Sequence, residues 1–249
     1  MQSASRSTSA ARAFDLIGVI AARGGAGVGL TELARECGMS LSSTHRYVAT
    51  LVEIGVLDRA GSGPIRLGPR LITLAAGALE GDPLRAVGLN HLTRLVEATG
   101  ETSHLGRFAQ GQVVYVDKVE CDKSIRLVSR VGARVPAHCS AMGKAILSRL
   151  PAAAAEAYIA DAAERRTERT KLGAALRDEI AQVAAQGWAV DDEENETGVR
   201  CLGAAIVSRE GAVLGAVSVS GPAHRFTLAA CRDSVPAVTQ AAAAIGAAL

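Results

Sequence analysis

Apolar residues in the stretch 10–23, AARAFDLIGVIAAR, recur at helical spacing, with Phe14, Ile17 and Ala21 on one face and Leu16 and Ile20 flanking it. The run GGAGVG at 24–29 breaks that helix. It fails as a dinucleotide loop, because Leu30 and Glu32 fill positions a third glycine would need and no strand precedes it; it reads as a plain turn. Thr31 is placed to cap a short helix through Cys37, and Gly38 closes it, since glycine enters the left-handed region without steric penalty. Ser40 or Ser42 caps the next helix, which runs to about Ile54 and ends at Gly55. Its inward face is Tyr47, Val48, Leu51 and Ile54; its outward face is Ser42, Ser43, Arg46 and Thr50, with His45 at the edge.

Two helices joined by a tight glycine-containing turn make a helix-turn-helix. Small hydroxyls and an arginine on the first half of its second helix suit base edges and phosphates in a major groove. Val56-Leu57-Asp58 and Ile65-Arg66-Leu67 then read as two short strands around the loop 59–64, which is the wing of a winged helix. The candidate DNA contacts are Ser42, Ser43, Thr44, His45, Arg46 and Thr50 on the helix and Arg59 and Arg66 flanking the wing.

Pro69 opens another apolar helix, RLITLAAGAL at 70–79, which Gly81-Asp82-Pro83 interrupts. Residues 69–81 read as a linker helix between a DNA-binding domain at 1–68 and a second domain at 82–249. Its apolar content predicts packing, either on the same helix of a second copy or within the chain. A further helix spans about 84–98. From Glu101 the period shortens. Residues 108–112 sit between two β-rich runs, of which VVYVDKV at 113–119 is the clearer. A later hairpin joins CLGAAIVS (201–208) to AVLGAVSVSG (212–221) through Arg209-Glu210-Gly211. Helical stretches lie near 140–150, 151–163 and 171–186, and an Ala-rich helix closes the chain at 227–249. The sum is an α+β domain, an antiparallel sheet with helices, of the GAF-like small-molecule-sensing type.

Composition narrows the class. With 49% hydrophobic and 21% charged residues the chain is globular, and 249 residues fit one large domain or two modest ones. No run of 18 apolar residues appears, so no membrane span is expected. The polar, basic start MQSASRSTSAAR lacks the apolar core of a secretory signal, which points to the cytoplasm. The five cysteines, at 37, 121, 139, 201 and 231, are odd in number and form no C-x-x-C, against a disulfide framework or zinc ribbon. Aromatics at 3% are too few for stacking platforms on single-stranded nucleic acid. The formal charge of +2 lies wholly in residues 1–80, which hold eight arginines, no lysine and six acids. That surplus hints at phosphate contact.

Three segments carry a resemblance over nearly the whole chain. LTELARECGMSLSSTHRYVATLVEIGVLDR (30–59), RVPAHCSAMGKAILSRLP (134–151) and GWAVDDEENETGVRCLGAAIVSREGAVLGAVSVSGP (187–222) are similar to the signatures of the IclR family of bacterial transcription factors. Ala205-Ile206 departs from it, where many members carry a proline. The resemblance implies a homodimer or dimer of dimers on double-stranded operator DNA, with an effector pocket for a small organic or aromatic acid in the C-terminal domain. Matched motif by motif, the effector residues fall on Ala141, Met142, Asp191, Cys201, Ser218 and Ser220. The residues themselves agree with this. Ser140 can cap a helix starting near Ala141, whose free N–H groups favour an anion. Ser218 and Ser220 share one strand face, and Cys201 sits on the neighbouring strand. The plainer alternatives are a solvent-facing sheet surface for the serines and a small buried apolar group for Cys201.

Other chemistry is less well supported. Residues 191–196, DDEENE, do not match a calcium loop, so a solvated acidic loop with one residue facing the pocket is expected. His138-Cys139 has no third ligand, so neither metal nor cofactor is expected. A hydrolase would need Cys201 or a serine as nucleophile and His138, His104 or His224 as base. Yet the chain has no G-x-S-x-G or H-E-x-x-H, and Gly143-Lys144 is no P-loop because His138 stands at the first glycine position. The sequence therefore reads as a ligand-responsive regulator, a repressor of a catabolic operon, and not as an enzyme. The remaining rival is a sensor that acts through protein partners without DNA.

Overall fold

The computed structural model describes residues 8–124 and 129–249; the first seven residues of the basic N-terminal stretch lie outside them. The chain divides into two compact units, Met1–Gly81 and Asp82–Leu249.

The first unit is a winged helix-turn-helix. Helix α1 (Thr8–Ala22) is followed by α2 (Leu30–Glu36) and α3 (Leu41–Glu53). Strands β1 (Leu57–Asp58) and β2 (Arg66–Leu67) then pair antiparallel, Leu57 opposite Leu67, and Val28 bridges Ile65 beside them. Leu16, Ile20, Leu33, Val48, Leu57 and Ile65 form the buried core. Each contributes roughly 1.5–3 kcal/mol relative to an exposed position. The face of α1 differs from its expected one: Leu16 and Ile20 are fully buried, whereas Phe14 is 71% exposed and Ala21 is exposed. Leu16 and Ile20 are four residues apart and so make the stripe themselves. Helix α2 begins two residues earlier than expected. Its N-cap is Gly29, not Thr31, because the Val28–Ile65 bridge keeps the chain extended up to Gly29. Ser40, not Ser42, caps α3 by accepting a bond from the Ser43 amide. Thr44, Val48 and Leu51 face inward on α3, while Ile54 is 42% exposed. Helix α4 (Arg70–Glu80) has no buried residue, and Ile72 and Leu74 are exposed.

The second unit is built on a six-stranded antiparallel sheet. It starts with α5 (Pro83–Thr99), followed by the hairpin β3 (Thr102–Ala109) and β4 (Gln112–Val119). Then come β5 (Arg134–Pro136), α6 (Ala141–Leu147), α7 (Ala152–Asp161) and α8 (Gly173–Gln186). The chain ends with β6 (Ala189–Asp192), β7 (Val199–Val207), β8 (Val213–Pro222) and α9 (Leu228–Ala247). The spatial order is β5-β4-β3-β8-β7-β6. Strands β5 and β6 were not foreseen, being too short for a period-two signal to emerge.

Alternation along β7 and β8 assigns the two sheet faces. Leu202, Ala204, Ile206, Val217 and Val219 join the core made with Leu84, Leu92 and Leu95 of α5 and Val238 and Ile245 of α9. The residues between them, Cys201, Gly203, Ala216, Ser218 and Ser220, belong to the opposite face. Helix α6 packs there, with Met142 and Ile146 against Ala216. It comes close enough that a Cβ on Gly143 would lie 2.2 Å from the Cα of Ala137, so only glycine fits.

Candidate functional site

The helix α3 carries the first candidate surface. Ser42, His45, Arg46 and Thr50 are exposed and Ser43 is half-buried. The Ser40 hydroxyl donates to Ser43 Oγ at 2.9 Å, and Thr50 Oγ1 donates to the Arg46 carbonyl at 3.2 Å. Thr44 does not belong to this surface. It is fully buried, and its hydroxyl donates to the Ser40 carbonyl at 3.0 Å, so it is a packing residue and cannot reach DNA. The wing arginines brace loops. Arg59 Nε donates to the Gly63 carbonyl at 3.1 Å, and Arg66 Nε donates to the Gly25 carbonyl at 2.9 Å. Each keeps further N–H donors for a phosphate. Among the described residues, Arg12, Arg35 and Arg46 are exposed and their guanidinium groups make no hydrogen bond or ion pair within the chain. Arg12 and Arg35 were not singled out from sequence, since nothing in the pattern separates a free arginine from one engaged locally.

The second candidate is a cavity of about 320 Å³ on the α6 face of the sheet. Ala141, Met142, Asp191, Cys201, Ser218 and Ser220 all line it. Strand register brings the polar ones together: Asp191 pairs with Cys201, and Cys201 with Ser220, so they form one row across β6, β7 and β8. Directly paired residues place their side chains on the same face. Ser218 is the next same-face position along β8. Ser218 and Ser220 are only 3% and 2% exposed, which rules out a solvent-facing surface. Ser140 caps α6 by accepting from the Gly143 amide at 3.2 Å.

Several lining groups escaped the sequence reading. Tyr115, Ser129, Arg130, Arg166, Asn195 and Glu196 also face the cavity. Behind the serines lies His104, fully buried, with Nε2 2.8 Å from Ser129 Oγ and Nδ1 3.5 Å from Ser220 Oγ. Burial and the Lys118 charge hold its pKa down to about 3, so the ring is neutral. Its ring centroid lies 4.8 Å from that of Tyr115. Ser129 and Arg130, Arg166, and Asn195 and Glu196 come from three separate connections, while His104 and Tyr115 lie on β3 and β4, and no local spacing announces them.

Asp191 is buried, and its Oδ1 accepts the Glu194 and Asn195 amides at 2.8 and 3.2 Å. Burial dominates its titration and pushes the carboxyl up to about 7, despite Lys144 and the two amides. Burial likewise pushes the Cys201 thiol well up, with Asp191 adding to it, so it is no ready nucleophile at neutral pH. The acidic loop departs from expectation. Instead of a solvated run, Asp191 and Glu194 are buried, and Glu194 pairs with the fully buried Lys144. Its carboxylate faces the Lys144 ammonium, with Lys171 Nζ 3.9 Å away. Among the described residues no cluster of three or more His, Cys, Asp or Glu is placed to hold a metal. His138 Nε2 instead lies 2.8 Å from the Glu164 carbonyl. No helix among the described residues is long and apolar enough to cross a membrane.

A winged helix-turn-helix in one unit and a sheet domain with an internal polar cavity in the other define the class of two-domain transcriptional regulators. Residues 9–61 match the IclR helix-turn-helix domain, and residues 76–247 match the C-terminal domain of the bacterial transcriptional regulator IclR. The chain belongs to the IclR family. It is 32% identical to the regulator KipR of Bacillus subtilis over 220 residues, covering 85% of this chain and 84% of that protein. With the acetate operon repressor of Salmonella typhimurium, 33% identity covers 49% of this chain and 46% of that protein, so that match spans about half of either. The crystal structure of Thermotoga maritima IclR superposes with a TM-score of 0.72 at 30% identity, over 95% of this chain and 96% of that one. An IclR homolog from Microbacterium hydrocarbonoxydans, solved with 4-hydroxybenzoate, has the same fold at 24% identity, with a TM-score of 0.80 over 96% of this chain and 98% of that one. The curated relatives are named as transcriptional regulators, not as enzymes.

Proposed function

We propose that this protein is an effector-responsive repressor of a catabolic operon, acting in the cytoplasm as a homodimer or dimer of dimers on double-stranded operator DNA. The effector is a small organic or aromatic acid. One observation carries the reading: Ala141, Met142, Asp191, Cys201, Ser218 and Ser220, far apart in sequence, line a single cavity that also takes in the hydroxyls of Tyr115 and Ser129. A polar cavity of this size suits a small ligand with a few placed polar groups. The 4-hydroxybenzoate held by the Microbacterium relative supports an acid of that kind.

On the DNA side, Ser42, Ser43, His45, Arg46 and Thr50 are the proposed contacts in the major groove, and Arg59 and Arg66 brace the wing against the backbone. Ile72 and Leu74, exposed on α4, favour helix-to-helix packing with a second copy. Two winged helices in a dimer would reach half-sites about 34 Å apart. The effector acts by binding one arrangement of the linker helices more tightly than the other.

The test is binding of the purified protein to the DNA upstream of its own coding sequence, at two salt concentrations, with a panel of carboxylic acids. A specific complex weakened by salt and released by one acid supports the reading. A complex that survives saturation with an acid the protein is known to bind overturns it.

A further inference from the structure

Among the described residues Lys144 is the largest side chain with no solvent exposure, yet it does not line the cavity. It lies in α6, whose first residues form one cavity wall. Its Nζ donates to Glu179 Oε1 of α8 at 2.8 Å and to Glu194 Oε1. Burial opposes its charge, but Glu194 and Glu179 together hold its pKa above the usual lysine value, so it stays an ammonium.

Glu194 stands at the other end of this contact, in the loop between β6 and β7. Its carbonyl accepts from Thr170 Oγ1 at 2.7 Å, and its amide donates to Asp191 Oδ1 at 2.8 Å. Its second carboxylate oxygen is buried without a hydrogen-bond partner, and Lys171 Nζ is 3.9 Å from the first. Lys144 is therefore the main hold on this side chain. The next two residues, Asn195 and Glu196, face the cavity.

We propose that Lys144 is a positioning residue for the cavity: through Glu194 it fixes the loop bearing Asp191, Asn195 and Glu196 against the wall formed by α6, without touching the ligand. The proposal rests on the cavity being the effector site. Gly143-Lys144 is thus a charged strut between two walls of a pocket.

The single change Lys144→Met strands a buried carboxylate and is expected to lower the melting temperature or prevent folding. The deciding variant is Lys144→Met combined with Glu194→Gln, which removes both charges while Lys171 still neutralises Glu179. The probe is 4-hydroxybenzoate, titrated calorimetrically into full-length wild type and double variant, with amide hydrogen exchange recorded for both without ligand. The expected result is a melting temperature near that of wild type, affinity weakened by about tenfold or more, and faster exchange confined to residues 191–196 and the first turn of α6. A double variant with wild-type stability, affinity and exchange overturns the proposal. If the wild type does not bind 4-hydroxybenzoate, that acid is excluded as effector and exchange alone decides: local loosening supports the strut, and an unchanged pattern refutes it.

Discussion

Gly203 and Ala141 meet backbone against backbone: a Cβ on Gly203 would lie 3.0 Å from the Ala141 carbonyl carbon. The same atom would lie 3.0 Å from the Met142 amide nitrogen. This contact seats the start of α6 on β7 beside the row Asp191, Cys201 and Ser220. Gly203→Val must push the helix away from the sheet. Overpacking of this kind costs about 1–3 kcal/mol, read as a lower urea midpoint with unchanged slope. The same variant is expected to bind effector more weakly, because the wall that moves bears Ala141 and Met142.

Asp191 gives the cavity a pH response. Its folded-state carboxyl titrates near 7, above the ordinary aspartate value, so between those two values the native state holds the extra proton. Its contribution to stability therefore falls as pH rises toward 7 and is restored on acidification. A protonated Asp191 also no longer repels an anionic ligand. Affinity for a carboxylate effector is expected to rise as pH falls from 8 to 6, and Asp191→Asn is expected to flatten that dependence. Calorimetric titrations across this range check both slopes.

Thr44 and Arg46 are two residues apart on α3 but differ in role. Arg46→Ala is expected to cost about 1–3 kcal/mol of operator affinity if the guanidinium reads a guanine, with relaxed preference at that base pair. A uniform loss across sequences assigns it to a phosphate instead. Thr44→Ala removes a buried methyl group and the bond to the Ser40 carbonyl. It is expected to lower the melting temperature while the folded protein keeps its operator affinity. Regulation that survives Arg46→Ala intact would favour a sensor without DNA.

Asp82 caps α5, accepting from the Leu84 amide at 2.9 Å, and receives Arg107 Nε at 2.7 Å. The Arg107 side-chain hydrogen bond is the largest cause holding its carboxyl below the usual aspartate range. A depressed folded-state pKa stabilises above the unfolded value, about 3.9, and that gain is lost as pH falls through the folded value. Asp82→Asn keeps a capping side chain but removes the charge. It is expected to lower stability at pH 6 and to converge on wild type as pH falls through the lowered folded-state value. Denaturation midpoints against pH give the comparison.

Much of the fold was legible because local signals agreed. Ser40 before an apolar stripe, Gly38 and Gly55 after helices, and the Arg209-Glu210-Gly211 turn between alternating strands each mark a boundary on their own. Signals decided by tertiary contact were not. Phe14 and Ile54 fit helical stripes yet stay exposed, because the core is centred on Leu16, Ile20 and Val48. Thr44 looks like a surface hydroxyl in sequence and is buried by the neighbouring helices. The six cavity positions came from the family signature, while Arg130 and Arg166 sit in connections whose spatial meaning no spacing encodes, and Tyr115 lies on β4, where alternation alone does not tell which face is the cavity. Lys144 was invisible for the same reason: a buried lysine depends on Glu179 and Glu194, which are 35 and 50 residues away.

In the proposed function the cavity and helix α3 are thermodynamically linked. The most direct measurement is operator affinity of the full chain with and without a saturating acid that calorimetry has shown to bind, in wild type and in Ser220→Val. The acid is expected to change wild-type affinity by about fivefold or more, DNA to change acid affinity by the same factor, and Ser220→Val to lose the response while still binding DNA. Equal operator affinity in the free and acid-saturated wild type would contradict it.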